Sequence, residues 1–122
     1  MSDLAAVEVD STGGDDDVVV ARVRGEVDLS NADSVGEQLA SAVPNRALGL
    51  VLDLSTTTYL DSSGVSLLFD MSERLRRRQQ QLRLAIPDGT PLRRVLSIVA
   101  AGDALPIVPT VDEAVAAIRD SA

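Results

Sequence analysis

Apolar residues recur along the chain with two different periods, and these periods predict alternating strands and helices. Short β-branched or continuously apolar stretches are typical of strands, whereas apolar residues spaced three and four positions apart indicate amphipathic helices. The pattern predicts strands over residues 4–10, 18–24, 48–54, 82–86 and 105–108. It predicts helices over residues 32–43, 63–77, 90–99 and 110–118.

Proline and hydroxyl residues mark where several of the predicted helices begin and end. Pro44 stops the first helix, and Pro91 fits the first turn of the third. Thr110 and Glu113, three residues apart, form a capping box at the start of the last helix. The segments predicted to be loops between elements include 25–30 and 55–61.

The order of the predicted elements, β-β-α-β-α-β-α-β-α, indicates an α/β domain with a mixed, mostly parallel sheet packed with helices. The acidic segment 11–17 joins the first two strands as an antiparallel hairpin, and right-handed crossover helices make the later strands parallel. The continuous apolar run at 48–54 is typical of a strand that is covered on both faces. With 122 residues and no repeat or long linker, the chain 1–122 is predicted to be a single domain.

The composition of the chain excludes most types of enzymatic catalysis. It contains no His and no Cys, and its 11 basic residues are all Arg. These absences exclude Ser-His-Asp and Cys-His catalysis, zinc sites built on imidazole or thiolate, disulfides and Schiff-base lysines. Asp53 ends a predicted buried strand, as the phosphoryl-accepting residue of a receiver domain does, but the lysine that receivers need is absent. We expect a protein that is not an enzyme and that binds no metal or cofactor.

The charge and hydropathy of the chain indicate its cellular location and argue against nucleic acid and membranes as partners. A net charge of −8 and an aromatic content of 2% argue against direct binding of nucleic acid. The local run 76–78, with Arg74, is interpreted as a solvated helix end, and an anionic-lipid or nucleic-acid patch is the alternative. No apolar run approaches the ~18–20 residues of a membrane span, and no signal peptide is recognisable at the N-terminus. We therefore expect a cytoplasmic protein that does not contact membranes.

The segment 60–64, Leu-Asp-Ser-Ser-Gly, combines two hydroxyl groups and a glycine at the start of a predicted helix. One interpretation is structural: Ser62 or Ser63 caps the helix, and Gly64 allows close packing. The other is functional, because a serine at a helix N-terminus is accessible and the positive end of the helix dipole favours a phosphate there. The residues of this segment alone leave both interpretations open.

Four segments in a fixed order give the chain a family resemblance. They are Gly-Glu-Val-Asp at 25–28, Val-Leu-Asp-Leu at 51–54, Leu-Asp-Ser-Ser-Gly-Val at 60–65 and Pro-Leu-Arg-Arg-Val-Leu at 91–96. In this order they resemble the STAS domain of the anti-sigma factor antagonists, also called anti-anti-sigma factors, over nearly the whole chain. The strand-loop-DSSG-helix block is the most specific part. The fold known for that family agrees with the element order predicted from periodicity.

The resemblance assigns roles to six residues. Ser62 matches the serine that an ATP-dependent anti-sigma factor kinase phosphorylates in that family. Its neighbours Asp61, Ser63 and Gly64 complete the segment, and Asp28 matches the loop aspartate beside the phosphorylation site. Asn31 stands where many members carry Thr or Ser. These six residues are expected to contact the partner.

The resemblance also implies a function. The unphosphorylated protein binds an anti-sigma factor serine kinase and frees a sigma factor, phosphorylation of Ser62 abolishes binding, and a serine phosphatase resets the switch. The alternative is a STAS module that is not phosphorylated and that serves as a scaffold or accessory subunit of a transporter or a stress-signalling assembly. The complete DSSG segment favours the first function, because a scaffold has no need of an acceptor serine.

Overall fold

The computed structural model describes residues 6–11, 17–99 and 105–121, and within these ranges the chain forms one six-stranded sheet and four helices. The strands are β1 (Ala6–Ser11), β2 (Val18–Val27), β3 (Gly49–Asp53), β4 (Thr57–Leu60), β5 (Gln81–Ala85) and β6 (Ile107–Val108). The helices are α1 (Ala32–Ala42), α2 (Ser62–Arg77), α3 (Pro91–Val99) and α4 (Val111–Asp120). No helix in these ranges is both long enough and apolar enough to cross a lipid bilayer.

The sheet has the mixed, mostly parallel arrangement that the sequence predicts. Its strand order is β1-β2-β3-β5-β6, with β4 paired separately to β2. Only the β1–β2 pair among the described strands is antiparallel, and the β2–β3, β3–β5 and β5–β6 pairs are parallel. The hairpin prediction for the first two strands is therefore confirmed, although residues 4–5 of the first predicted strand and 12–16 of its turn lie outside the described residues.

The chain forms one strand that its sequence pattern does not predict, and another strand is longer than predicted. The segment 55–61, predicted as a loop, contains β4, and β2 continues through residues 25–27, which were also predicted as a loop. The two errors have one cause, because these segments pair with each other in parallel. Thr57 is buried in this pairing, and its hydroxyl donates a hydrogen bond of 2.7 Å to the carbonyl of Val23. A four-residue strand with so many polar residues gives no periodic signal.

Apolar side chains cover both faces of the sheet. All five residues of β3 are buried, as predicted for a strand covered on both sides. On one face the core joins strands to helices α1, α2 and α3, and its largest members include Leu39, Leu50, Leu52, Leu68, Leu84 and Leu96. On the other face α4 packs through Ala114, Val115 and Ile118 against Val18, Val20 and Val51. Helices α1, α2 and α3 therefore share one face of the sheet, and α4 alone among the described helices covers the other.

Helix α2 presents the face that its sequence predicts. Leu68, Met71 and Leu75 are buried, and Val65 packs half-buried against the same core. Ser66 lies on the exposed side. The direction in which α2 leaves Ser62 is therefore set by packing along its length.

We expect Leu68→Ala to lower the free energy of unfolding by ~2–5 kcal/mol, because it removes buried methyl groups and leaves a cavity. Ser66→Ala is the matched control on the exposed side and should change it by no more than about 0.5 kcal/mol. Urea denaturation of both variants measures the difference. Equal stability of the two would show that the buried face of α2 is wrongly assigned.

Candidate functional site

The N-terminus of α2 is capped by Asp61. One carboxylate oxygen, Oδ1, accepts hydrogen bonds from the backbone N–H groups of Ser63 at 2.8 Å and Gly64 at 3.0 Å. The Asp61 backbone is extended, with φ −88° and ψ −170°, as is usual for a residue at this position. A negative charge here is also favoured by the positive end of the helix dipole. The prediction that Ser62 or Ser63 supplies the cap is therefore wrong.

Capping by Asp61 leaves the hydroxyl of Ser62 unused by the fold. Ser62 is exposed, and no described residue forms a hydrogen bond with its hydroxyl. Ser63 is only half-exposed, and its backbone N–H is held by the cap. Of the two serines in the segment, Ser62 is the more accessible to a partner.

The same aspartate joins α2 to the loop between β2 and α1. Its second oxygen, Oδ2, accepts a hydrogen bond of 3.1 Å from the backbone N–H of Leu29. The Asp61 N–H in turn donates to the carbonyl of Val27 at 3.2 Å. Two segments that are 32 residues apart in the chain are thereby fixed to one another beside Ser62.

Asp28 organises the β2–α1 loop. Its Oδ1 accepts hydrogen bonds from both the hydroxyl of Ser30 at 2.5 Å and the backbone N–H of Ser30 at 2.9 Å. The hydroxyl of Ser30, followed by its N–H, lowers the pKa of Asp28 below the ordinary value for aspartate. The Asp28 carboxylate is therefore ionised at neutral pH and adds negative charge close to Asp61.

The buried side chain of Asn31 holds this loop in place through hydrogen bonds to its backbone. Asn31 stands at the N-cap position of α1, but its side chain makes no cap hydrogen bond. Its Oδ1 instead accepts from the N–H of Asp28 at 2.9 Å, and its Nδ2 donates to the carbonyl of Glu26 at 2.8 Å. Because Asn31 is 5% exposed, it shapes the loop and offers a partner almost no surface.

Gly64 allows α2 to approach the strands closely, as predicted. A Cβ at this position would lie 3.0 Å from the carbonyl oxygen of Val27 and 2.9 Å from Cδ2 of Leu60. Any larger residue would push the start of α2 away from the end of β2. The positions of Asp61 and Ser62 relative to the loop therefore depend on this glycine.

A groove of about 650 Å³ between α1 and α2 begins at this site. Ser62, Ser63 and Ser66 lie along its α2 side, and Leu29 stands at the same end. Two large apolar residues near the site are exposed, Leu29 at 81% and Tyr59 at 53%. Neither residue could be predicted as part of the site, because a single apolar residue in a polar segment carries no periodic signal.

Two carboxylates outside the DSSG segment, those of Glu73 and Asp53, form ion pairs with arginines. At the C-terminal end of α2, Glu73 pairs with Arg76 at 2.5 Å and with Arg77 at 3.4 Å, and the Arg76 hydrogen bond leads the effects that lower the pKa of Glu73. Burial alone would raise the pKa of Asp53, but hydrogen bonds from Ser55 and the Arg22 ion pair outweigh it and lower that pKa. Both carboxylates thus form ion pairs with arginines of the same chain.

We expect Asp61→Ala to lower the free energy of unfolding by ~1–2 kcal/mol, which is the usual loss when a side-chain cap is removed. Asp70→Ala, which removes an exposed carboxylate further along α2, is the control and should stay within about 0.5 kcal/mol. Asp61→Asn keeps an acceptor oxygen and should fall between the two. Thermal and urea unfolding measure all three, and parent-like stability of Asp61→Ala would refute its role as the cap.

Comparisons with known proteins agree with the motifs. A family model described as the STAS domain matches residues 9–114. The anti-sigma-F factor antagonist RsfA of Mycobacterium tuberculosis is 30% identical over 104 residues, which cover 84% of this chain and 80% of RsfA.

Solved structures show the same fold. The crystal structure of an anti-sigma factor antagonist from Mycobacterium paratuberculosis matches with a TM-score of 0.79 and 27% identity over 95% of each chain. The Bacillus cell fate determinant SpoIIAA in its phosphorylated form matches with a TM-score of 0.66 and 21% identity, over 93% of this chain and 100% of SpoIIAA. The resemblance drawn from the four motifs is thereby confirmed. The chain belongs to the STAS domain family and groups there with the anti-sigma factor antagonists.

Proposed function

We propose that the chain is an anti-sigma factor antagonist controlled by phosphorylation of Ser62. In its unphosphorylated form it binds an anti-sigma factor that is a serine kinase, and the bound anti-sigma factor releases its sigma factor. The observation that carries the proposal is the free, exposed Ser62 hydroxyl at the start of a helix whose cap is supplied by the preceding Asp61. The 30% identity to RsfA, an anti-sigma-F factor antagonist, supports the same function.

The proposed modification is an ordinary phosphoryl transfer. The Ser62 oxygen attacks the γ-phosphorus of ATP bound to the kinase, and the bond from that phosphorus to the β–γ bridging oxygen breaks, which releases ADP. The hydroxyl proton passes to a base of the kinase. The chain described here is the substrate of that step and a binding switch, and its own residues need no catalytic role.

The surroundings of Ser62 explain why a phosphate would act on the partner more than on the fold. Phosphorylation adds roughly −1.5 to −2 charges at neutral pH, and the first-turn N–H groups of Ser63 and Gly64 are already bonded to Asp61. The new phosphate therefore has few free donors on α2 and projects outward. It lies beside Asp61 and the ionised Asp28, on a chain whose net charge is already −8.

Loss of binding then follows from the shape and charge of the interface. A kinase surface that fits a neutral hydroxyl cannot accommodate a phosphate in the same position without displacement. The phosphates of the nucleotide held by the kinase also repel it. A serine phosphatase that removes the group would restore binding and complete the cycle.

The first test of the proposal identifies the acceptor. The chain is purified from its native cells together with bound proteins, and the kinase found in this way is expressed in pure form. Incubation with that kinase and ATP should add one phosphate, which mass spectrometry should place on Ser62. Phosphate on Ser63 alone would overturn the assignment, and the absence of any phosphate would favour the scaffold alternative.

The second test examines the switch with variants. Ser62→Ala should bind the kinase like the parent chain but accept no phosphate, whereas Ser62→Asp should bind at least tenfold more weakly, or ~1.4 kcal/mol. Ser41→Asp adds the same charge at an exposed serine of α1 that does not line the groove, and it should bind like the parent. Calorimetry measures the affinities.

Stability measurements separate lost docking from lost folding. The Ser62 variants should unfold within about 1 kcal/mol of the parent, because a helix N-terminus tolerates added negative charge. Equal affinity of Ser62→Ala and Ser62→Asp for the kinase would contradict the switch.

A further inference from the structure

We propose that Leu29 is the apolar anchor through which the chain docks on its anti-sigma factor kinase, and that it inserts into an apolar pocket on the kinase next to the ATP site. This inference rests on the proposed function and adds to it a residue that supplies affinity. The partner that it requires has a small hydrophobic depression within reach of the group that phosphorylates Ser62.

Leu29 is the most exposed large hydrophobic residue in the described part of the chain, at 81%. Single exposed leucines are common on protein surfaces and need no explanation by themselves. Leu29 differs from such residues because the backbone on both sides of it is fixed. Exposure and rigidity together are what a docking residue requires.

Hydrogen bonds hold Leu29 in place from three directions. Its own N–H is bonded to Asp61, the turn that follows it is closed by Asp28 and Ser30, and the buried Asn31 secures the loop to Glu26 and Asp28. A loop whose backbone is already fixed loses little backbone conformational entropy when a partner binds it. The fold thus presents an apolar side chain to solvent in a prepared position.

The position of Leu29 ties it to Ser62. Both residues line the groove between α1 and α2, and the Asp61 carboxylate accepts hydrogen bonds from the N–H of Leu29 and from the N–H of Ser63, which follows Ser62. A partner that covers the Ser62 hydroxyl must also cover Leu29. Asp33 and Glu37 line the groove beyond it and would form the polar rim that usually surrounds an apolar contact.

A second apolar surface offers the competing location for a partner. On α3, Val95, Ile98 and Val99 are 49%, 73% and 49% exposed. None of these three residues lines the groove that contains Ser62 and Leu29. Ile98 therefore provides a control of matched size and exposure.

The experiment measures affinity and phosphorylation kinetics of the full chain with the purified kinase identified above. Leu29→Ala should raise both Kd and KM at least tenfold and leave kcat within about twofold, since Leu29 contacts the kinase but not the transferring atoms. Leu29→Met, which nearly conserves volume, should restore binding to within about threefold of the parent. Ile98→Ala should bind like the parent, and all three variants should share the parent's unfolding midpoint.

The outcomes distinguish this inference from the function on which it rests. If Ser62→Asp loses binding while Leu29→Ala keeps it, the switch stands and Leu29 is not the anchor. A loss of binding confined to Ile98→Ala would move the docking surface to α3 and overturn the inference. If the parent chain neither binds the kinase nor becomes phosphorylated, both the function and the inference fail.

Discussion

One carboxylate, that of Asp61, satisfies backbone N–H groups from two separate segments, and the geometry of the site depends on it. Oδ1 holds the first turn of α2, and Oδ2 holds the loop that leads into α1. Asp61 is in turn placed by its own N–H on the carbonyl of Val27 and by the close approach that Gly64 permits. Removing the carboxylate would free both the helix start and the loop.

In this arrangement Asp61 and Ser62, which are neighbours in the DSSG segment, have different roles. Asp61 does the structural work of a cap, so Ser62 is released from it and its hydroxyl faces solvent. A phosphate added to Ser62 would find the nearest helix donors occupied and negative charge on two sides. The expected result is a fold that tolerates the modification and an interface that does not. A switch of this kind needs no conformational change within the domain.

Much of the fold could be predicted from the sequence because long periodic segments carry strong signals. The buried face of α2 and the doubly covered β3 both follow from their apolar pattern. The short strand β4 gave no such signal, since its burial comes from pairing with a distant part of β2. The motif resemblance identified the family, but it could not tell which side chain caps the helix.

The finer features of the site depend on tertiary contacts that a sequence pattern does not encode. Nothing local in the sequence indicates that Asn31 is buried beneath its loop rather than capping α1, or that the backbone of Leu29 is hydrogen-bonded to Asp61 while its side chain lies in solvent. These properties arise from hydrogen bonds between residues of the loop and a carboxylate 32 positions further along the chain. They follow only from the three-dimensional contact between the β2–α1 loop and the N-terminus of α2.

The most direct test of the account compares the chain before and after stoichiometric phosphorylation by its kinase. Calorimetric titration of both forms against the same purified kinase gives the two affinities, and circular dichroism confirms that both remain folded. The account predicts at least tenfold weaker binding of the phosphorylated form, with an unchanged spectrum. Equal affinity of the two folded forms would contradict it.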